Sequence, residues 1–210
     1  RVIGQQWAWR FEYPDFGITS TELVLPINQQ VLLRMESVDV LHSFWVPEFR
    51  IKQDLVPGQE TQMRITPNRI GEYKVSCAEI CGASHYAMVA DVQVVGEREF
   101  INWTISKSEL PEDPVERGQI YAEQYGCIAC HSLDGARIIG PTWQGAYLSE
   151  VPLEDGSTVV ADDAYLYESI VNPLAKIHAG YPANQMPLNF SETLREDQIN
   201  DIIEFIKSLQ

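Results

Sequence analysis

The first half of the chain is built from short segments that alternate apolar and polar residues or are rich in β-branched residues: 31–35, 62–66, 73–77 and 89–95. A period of two residues is typical of half-buried strands. Turn signals such as Pro57-Gly58 and Gly71 separate these segments. Short, evenly spaced strands without helical periodicity predict an all-β fold, either an antiparallel sandwich or a Greek-key barrel.

The second half changes to helical patterns. Residues 97–107 predict a short helix, and a polar, proline-punctuated stretch over 108–113 reads as a linker. Asp113 is a favourable N-cap before Pro114, and Gly126 is a plausible helix stop. A capping-box pattern over 193–196 precedes the last helix, whose apolar stripe is Ile199, Ile202, Ile203 and Ile206. We therefore predict two domains, all-β over 1–107 and all-α over 114–210.

Acidic residues are concentrated in the second half. Residues 1–111 contain 10 Lys/Arg and 14 Asp/Glu, whereas residues 112–210 contain 5 and 16. This charge argues against nucleic acid as a partner, because phosphates attract basic surfaces. It favours steering of basic protein partners, although solubility alone would also explain it. The first residues contain no apolar run long enough to span a bilayer, and the chain starts on Arg1, so we interpret it as a processed or truncated product.

Cys127, Cys130 and His131 form a C-x-x-C-H motif after a predicted helix. Two thiols at this spacing can each add to a haem vinyl group, and the histidine is then placed to bind the iron. A redox-active dithiol or half of a zinc site is the alternative, but neither needs this histidine. Met186, in the loop before the last helix, is the expected second axial ligand, because a thioether favours ferrous iron. His178 is the other candidate and reads as a surface histidine.

The first half contains C-x3-C-x3-H-x2-M, formed by Cys77, Cys81, His85 and Met88, with His42 upstream. Thiolates, imidazoles and a thioether are soft donors that select copper. A mononuclear blue copper site would leave one thiol unused, and a zinc site would leave Met88 unused. A disulfide alone would leave the histidines and Met88 without a role. The pattern favours a dinuclear copper site, in which both thiolates bridge and a backbone carbonyl completes the ligand set.

The motifs of residues 112–210 resemble class I cytochromes c. The matching features are C-x-x-C-H after a first helix, Gly140-Pro141, Met186-Pro187 and an amphipathic last helix. The resemblance implies that Cys127 and Cys130 attach one haem c covalently and that His131 and Met186 are its axial ligands. It also implies that the carbonyl of Pro141 orients His131, and that Gly118 and Tyr121 pack against Phe205.

Residues 1–107 are similar to the CuA domain of cytochrome c oxidase subunit II, a cupredoxin-like fold. The similarity is carried by 4–9, by 39–43 and by the copper motif over 77–88. It implies that the ligands of the copper pair are the following: His42, Cys77, Cys81, His85, Met88 and the backbone carbonyl of Glu79. It further implies that the carboxylate of Glu79 contributes to a magnesium site at the interface with subunit I, and that Trp7 is the point of electron entry. Gln5 departs from the family, in which histidine is common at this position.

Together the two halves resemble subunit II of caa-type haem–copper oxygen reductases. The resemblance implies an electron route from a donor protein to haem c, to the copper pair, to subunit I and finally to oxygen. The chain itself would not reduce oxygen. The family implies a membrane-anchoring N-terminal hairpin, absent here, and a location in the periplasm or on the outer face of a prokaryotic cytoplasmic membrane. A subunit of a CuA-containing nitric oxide reductase and a free redox shuttle remain as alternatives.

Overall fold

A computed structural model describes residues 1–210, and the chain divides into two compact units. Unit 1 comprises Arg1–Leu110 with Gln124–Gly126, and unit 2 comprises Pro111–Glu123 with Cys127–Gln210. The exact limits of the domains and of the linker over 108–113 stay a prediction. No helix is both long enough and apolar enough to cross a membrane.

Unit 1 contains two five-stranded sheets, which confirms the predicted all-β class. One sheet has the order β3-β2-β1-β5-β8 and the other has the order β4-β10-β9-β6-β7. The bounds are β1 Val2–Gln5, β2 Ala8–Tyr13, β3 Ile18–Ser20, β4 Leu23–Pro26, β5 Val31–Ser37, β6 His42–Val46, β7 Ile51–Leu55, β8 Thr61–Ile65, β9 Gly71–Cys77 and β10 Val89–Val95. Helix α1, Glu97–Lys107, follows the last strand.

Most strand pairs are antiparallel, as predicted for the sandwich. The prediction is wrong for two pairs, since β1 pairs with β5 and β10 pairs with β4 in parallel. Parallel neighbours require long connections, so the sandwich is a crossed, Greek-key-like arrangement instead of a simple meander. Apolar side chains from the strands fill the core, and the largest fully buried ones include Trp9, Phe11, Met35, Phe44 and Leu55. This core gives a rigid frame to the strand ends that carry the candidate copper ligands.

Unit 2 is helical. Its helices are α2 Pro114–Gln124, α3 Asp163–Val171, α4 Phe190–Thr193 and α5 Glu196–Ser208. Asp113 caps α2 as predicted, because its Oδ1 accepts the N–H of Val115 at 3.0 Å. The predicted stripe of α5 is buried: Ile199, Ile202, Ile203 and Ile206. Gly118 lies where α2 crosses α5, and an added Cβ would be 2.9 Å from Cβ of Phe205.

Two details of unit 2 differ from the sequence prediction. Helix α5 begins at Glu196, and its start is capped by Gln198, whose Oε1 accepts the N–H of Arg195 at 3.0 Å. The predicted capping box at Thr193 is therefore wrong, because Thr193 ends the preceding helix α4. A small hairpin of β11 Glu150–Pro152 and β12 Thr158–Val160 is an addition to the helical fold. Each of its strands has only three residues, too few for a clear alternation.

Candidate metal and haem sites

The candidate copper ligands in unit 1 come from strand ends and one loop. His42 is the first residue of β6 and Cys77 is the last residue of β9, and these strands pair with Phe44 opposite Cys77. The loop after Cys77 is tied back to β6, since the N–H of Ala78 donates to the carbonyl of Ser43 at 2.9 Å. The loop returns to the sheet at Met88, immediately before β10. The sheet therefore fixes both ends of the ligand loop.

The donor atoms of this loop and of His42 converge. The two sulfur atoms of Cys77 and Cys81 are 3.8 Å apart. Nδ1 of His42 is 3.8 Å from the Cys77 sulfur, and Nδ1 of His85 is 3.5 Å from the Cys81 sulfur. The Met88 sulfur lies 3.8 Å from that of Cys81. Each cysteine thus has its own histidine, and the two cysteines lie between them.

The carbonyl oxygen of Glu79 completes this set, at 3.2 Å from the Cys77 sulfur. His42 and Met88 have no exposed surface, and both cysteines are buried, whereas His85 is half-buried. A buried sulfur cluster with one half-buried histidine suits a redox metal, because electrons can enter through the exposed side while water is kept away from the sulfur atoms. The ligand roles themselves remain predictions, although all six predicted groups lie together.

Hydrogen bonds favour a thiolate at Cys77. Burial acts to raise its pKa, but bonds with His42 and with the backbone of Ser43 and Glu79 outweigh this and lower the pKa to about 6. Burial and the nearby Cys77 charge instead raise the pKa of Cys81. One thiolate therefore forms readily, and a bound cation is needed to remove the second proton, because metals bind thiolates.

Trp7 lies beside this cluster and is 5% exposed. Its indole N–H donates to the carbonyl of Cys81 at 3.0 Å, and the amide of Gln6 donates to the same carbonyl at 2.6 Å. The role of Trp7 in electron entry stays a prediction. Gln6 and Asp39 lie in the segments that carry the resemblance, but no role was predicted for either. Oδ1 of Asp39 lies 2.8 Å from Nε2 of His42. The position of Asp39, three residues before a predicted ligand, is the sequence feature that could have indicated a contact with His42.

The candidate haem attachment site in unit 2 is a 3₁₀ turn over Cys127–Ala129. The N–H groups of Cys130 and His131 both donate to the carbonyl of Cys127, at 3.1 and 3.0 Å. Nδ1 of His131 lies 2.8 Å from the carbonyl of Pro141, as the resemblance implies. Because a carbonyl only accepts, Nδ1 carries the proton and Nε2 keeps its lone pair for iron. The ring also stacks on Trp143, at 5.0 Å and 17°.

The two candidates for the second axial ligand differ in their surroundings. Met186 is half-buried in the loop before α4. His178 is bound within its own loop: its Nδ1 donates to the carbonyl of Ala179 at 3.0 Å, and its ring packs edge-on against Tyr181. Residue 178 also bridges Leu153 of the small hairpin region. These contacts give His178 a local structural role, which favours Met186 as the ligand.

Comparison with known families assigns both units. Residues 18–95 match the family model "Cytochrome C oxidase subunit II, periplasmic domain", and residues 115–210 match the model "Cytochrome c". The chain joins a subunit II periplasmic domain to a cytochrome c domain. The subunit II domain corresponds to the sandwich that carries the sulfur cluster, and the cytochrome c domain corresponds to the helical unit with C-x-x-C-H. These families imply copper and haem as cofactors.

Individual relatives agree with this assignment. Cytochrome c oxidase subunit 2 of Thermostichus vulcanus is 45% identical over 114 residues, which are 54% of this chain and 35% of the relative. The subunit 2 of Bacillus sp. strain PS3 is 28% identical over a match that covers all of this chain and 61% of the relative. This chain thus spans about a third of the length of the first of these relatives and about three fifths of the second.

A solved structure, the periplasmic domain of subunit II (CoxB) of Bradyrhizobium japonicum, is 27% identical. The match covers 50% of this chain and 89% of the solved chain, with a TM-score of 0.49.

Proposed function

We propose that this chain is the electron-carrying part of subunit II of a terminal haem–copper oxygen reductase. The observation that carries the proposal is the convergence of six predicted copper donors in unit 1, in a chain that also has a complete C-x-x-C-H motif in unit 2. Either set alone would fit many proteins. Their combination in one chain fits an oxidase subunit that receives electrons and passes them on.

The residues present fit a copper pair. The donor set contains two thiols, two imidazoles, one thioether and one carbonyl, and soft donors of this kind select copper over hard cations. The pairing of each cysteine with one histidine divides the set into two similar halves, each of which could hold one metal ion. We therefore assign His42, Cys77, Glu79 (carbonyl), Cys81, His85 and Met88 to a dinuclear copper centre.

The residues of unit 2 fit a covalently attached haem c. Cys127 and Cys130 would form the two thioether links, His131 would bind the iron through Nε2, and Met186 would be the opposite ligand. The Pro141 carbonyl holds the tautomer of His131 that leaves Nε2 free. When bound, the copper pair and the haem supply reversible one-electron chemistry. The chain's own residues hold these groups, limit water around the sulfur atoms and keep ligand geometry constant.

The partners follow from the same assignment. Subunit I would receive electrons from this chain, and the carboxylate of Glu79 would contribute to a magnesium site at that interface. The acidic second half would attract an upstream donor with a basic face. The parent protein would be anchored on the outer face of the cytoplasmic membrane.

The direct test is metal and haem analysis of the chain, with the thiols reduced before copper is added. Two coppers and one covalent haem per chain are expected, together with an electron paramagnetic resonance signal of one electron shared over two coppers. A single zinc ion, or copper bound one per chain, would contradict the copper assignment. Turnover of the parent complex with oxygen and with nitric oxide would then decide between the two types of reductase, and we expect oxygen.

A further inference from the structure

The two ring nitrogens of His42 face different partners. Nδ1 points toward the sulfur of Cys77 at 3.8 Å, and Nε2 lies 2.8 Å from Oδ1 of Asp39. The imidazole is completely buried, so no water competes for either nitrogen. Because a carboxylate accepts, the arrangement places a proton on Nε2, so Nδ1 is the ring nitrogen that faces the sulfur cluster and is available to a metal ion.

Asp39 is itself held in place. Its Oδ2 accepts the N–H of Gln6 at 2.7 Å, and its Oδ1 also accepts the N–H of Val40 at 2.6 Å. Its side chain is 15% exposed. A carboxylate fixed by two backbone donors cannot turn away from His42 without losing those bonds. The orientation of the imidazole is therefore determined by the backbone amides of Gln6 and Val40, through the Asp39 side chain.

The same turn that holds Asp39 also contacts the ligand loop. Gln6 donates its backbone N–H to Asp39 and its side-chain amide to the carbonyl of Cys81. The close contact requires Gly82, since an added Cβ would lie 2.9 Å from Nε2 of Gln6 and 2.9 Å from Cζ2 of Trp7. A continuous chain of bonds thus runs from His42 through Asp39 and Gln6 to the loop segment of Cys81.

We propose that Asp39 is a positioning residue of the copper site, which fixes the tautomer and orientation of His42 and links it through Gln6 to the Cys81 segment. This inference rests on the proposed copper assignment, which it deepens. Outer partners of ligating histidines raise ligand basicity and hold the ring, and their removal typically weakens metal affinity by about 10–100-fold. Loss of the negative charge also makes the imidazole a poorer donor to oxidised copper, so the reduction potential rises.

The test uses Asp39→Ala, Asp39→Asn and the control Asp54→Ala. Asp54 is a suitable control because its Oδ1 accepts the hydroxyl of Ser43, the neighbour of His42, at 2.7 Å without touching a predicted ligand. In the copper-free protein, nitrogen NMR of the ring should show a proton on Nε2 of His42 in the wild type and in Asp54→Ala. Asp39→Ala should show a mixture of tautomers.

With copper added, Asp39→Ala should bind about 10–100-fold more weakly, with a higher potential and altered copper hyperfine coupling. Asp39→Asn retains an oxygen acceptor and nearly the same shape, so it should recover the tautomer but keep part of the rise in potential. It also serves as the test variant if Asp39→Ala does not fold. An unchanged tautomer, potential and hyperfine coupling in a folded Asp39 variant would overturn the inference.

The two proposals can fail separately. A wild-type protein that takes up no copper would refute the proposed function, while the tautomer in the copper-free protein still shows whether Asp39 controls His42. Equal losses of stability in Asp39→Ala and Asp54→Ala, with no spectroscopic change in either, would show that Asp39 only supports the fold.

Discussion

The two candidate cofactor sites obtain their ligands in different ways. In unit 1, Cys77, Cys81, His42 and Met88 are buried, and their donor atoms lie within contact of one another at the ends of paired strands. In unit 2, the four predicted haem-binding residues lie on a 3₁₀ turn, directly after it and on a loop, and all four are only half-buried. The scaffold of unit 1 therefore brings the candidate copper donors together by itself, whereas the proposed haem would join the predicted ligands of unit 2 into one site.

The cysteines show the same contrast electrostatically. Hydrogen bonds lower the pKa of Cys77 to about 6 against the effect of burial, which prepares a thiolate for a cation. Desolvation raises the pKa of Cys127 to about 12 and that of Cys130 to about 11. A site that binds a metal ion needs charged sulfur, whereas a site that attaches an organic group through thioethers ends with neutral sulfur. The surroundings of Cys77 and of Cys127 and Cys130 match their proposed products, whereas Cys81, whose pKa is raised by burial and by the Cys77 charge, needs the bound cation to lose its proton.

Replacement of both cysteines in each pair should give the largest difference. Cys77→Ser/Cys81→Ser should abolish copper binding yet leave the thermal unfolding of unit 1 nearly unchanged, because the two buried cysteines lie at the end of β9 and in the loop after it, whereas larger side chains such as Trp9, Phe11 and Phe44 fill the core. Cys127→Ser/Cys130→Ser should lose covalent haem and much of the helical signal of unit 2. Circular dichroism with haem and copper absorbance measures both.

A single substitution sharpens this prediction. Cys77→Ser alone should abolish the copper signal of one electron shared over two ions, because Cys81 would be the one thiolate left to link the two coppers. A Cys77→Ser protein that keeps mixed-valence hyperfine structure would contradict the bridging role. Unfolding of unit 1 in the Cys77→Ser/Cys81→Ser protein would contradict the idea that the scaffold assembles the site without metal.

The two ligand motifs could be predicted from the sequence, whereas the contacts that hold the ligands in place could not. The C-x-x-C-H and C-x3-C-x3-H-x2-M patterns are local, so their spacing alone predicts the donor atoms. The link from Asp39 to Gln6 joins residues 33 positions apart, and the turn that brings them together depends on the parallel pairing of β1 with β5. No periodicity in the sequence indicates that pairing. The small hairpin over 150–160 was missed for a simpler reason, since its strands are too short to show alternation.

Two glycines test how much rigidity each region requires. Gly118→Ala would place a Cβ 1.9 Å from the backbone carbonyl oxygen of Asp201, so helices α2 and α5 must separate. We expect a loss of at least about 3 kcal/mol in the free energy of unfolding of unit 2, although alanine is the better helix former. The separation would move the C-x-x-C-H turn, which follows α2. Denaturant unfolding monitored by haem absorbance measures the loss.

The matched variant in unit 1 is Gly4→Ala. There the added Cβ would lie 3.1 Å from side-chain atoms of His42 and Leu55, which must move by a few tenths of an ångström to accept it. We expect a loss of about 1 kcal/mol, together with a small change in the copper spectrum because His42 is displaced. Equal losses at the two positions would remove this distinction between backbone and side-chain contacts.

The two methionines should give the smallest but most specific difference. Met186→Leu should remove the methionine–iron charge-transfer band and lower the haem potential by a clear part of the roughly 0.8 V range that axial ligands span, because thioether ligation favours ferrous iron. Met88→Leu should shift the copper potential by less and leave both coppers bound, since the thiolates and histidines hold them. Spectroelectrochemistry of the two variants, with each unaltered centre as the internal control, measures both shifts. A wild-type protein that lacks the band would instead return the ligand role to His178, and its contacts with Ala179 and Tyr181 would then have to break.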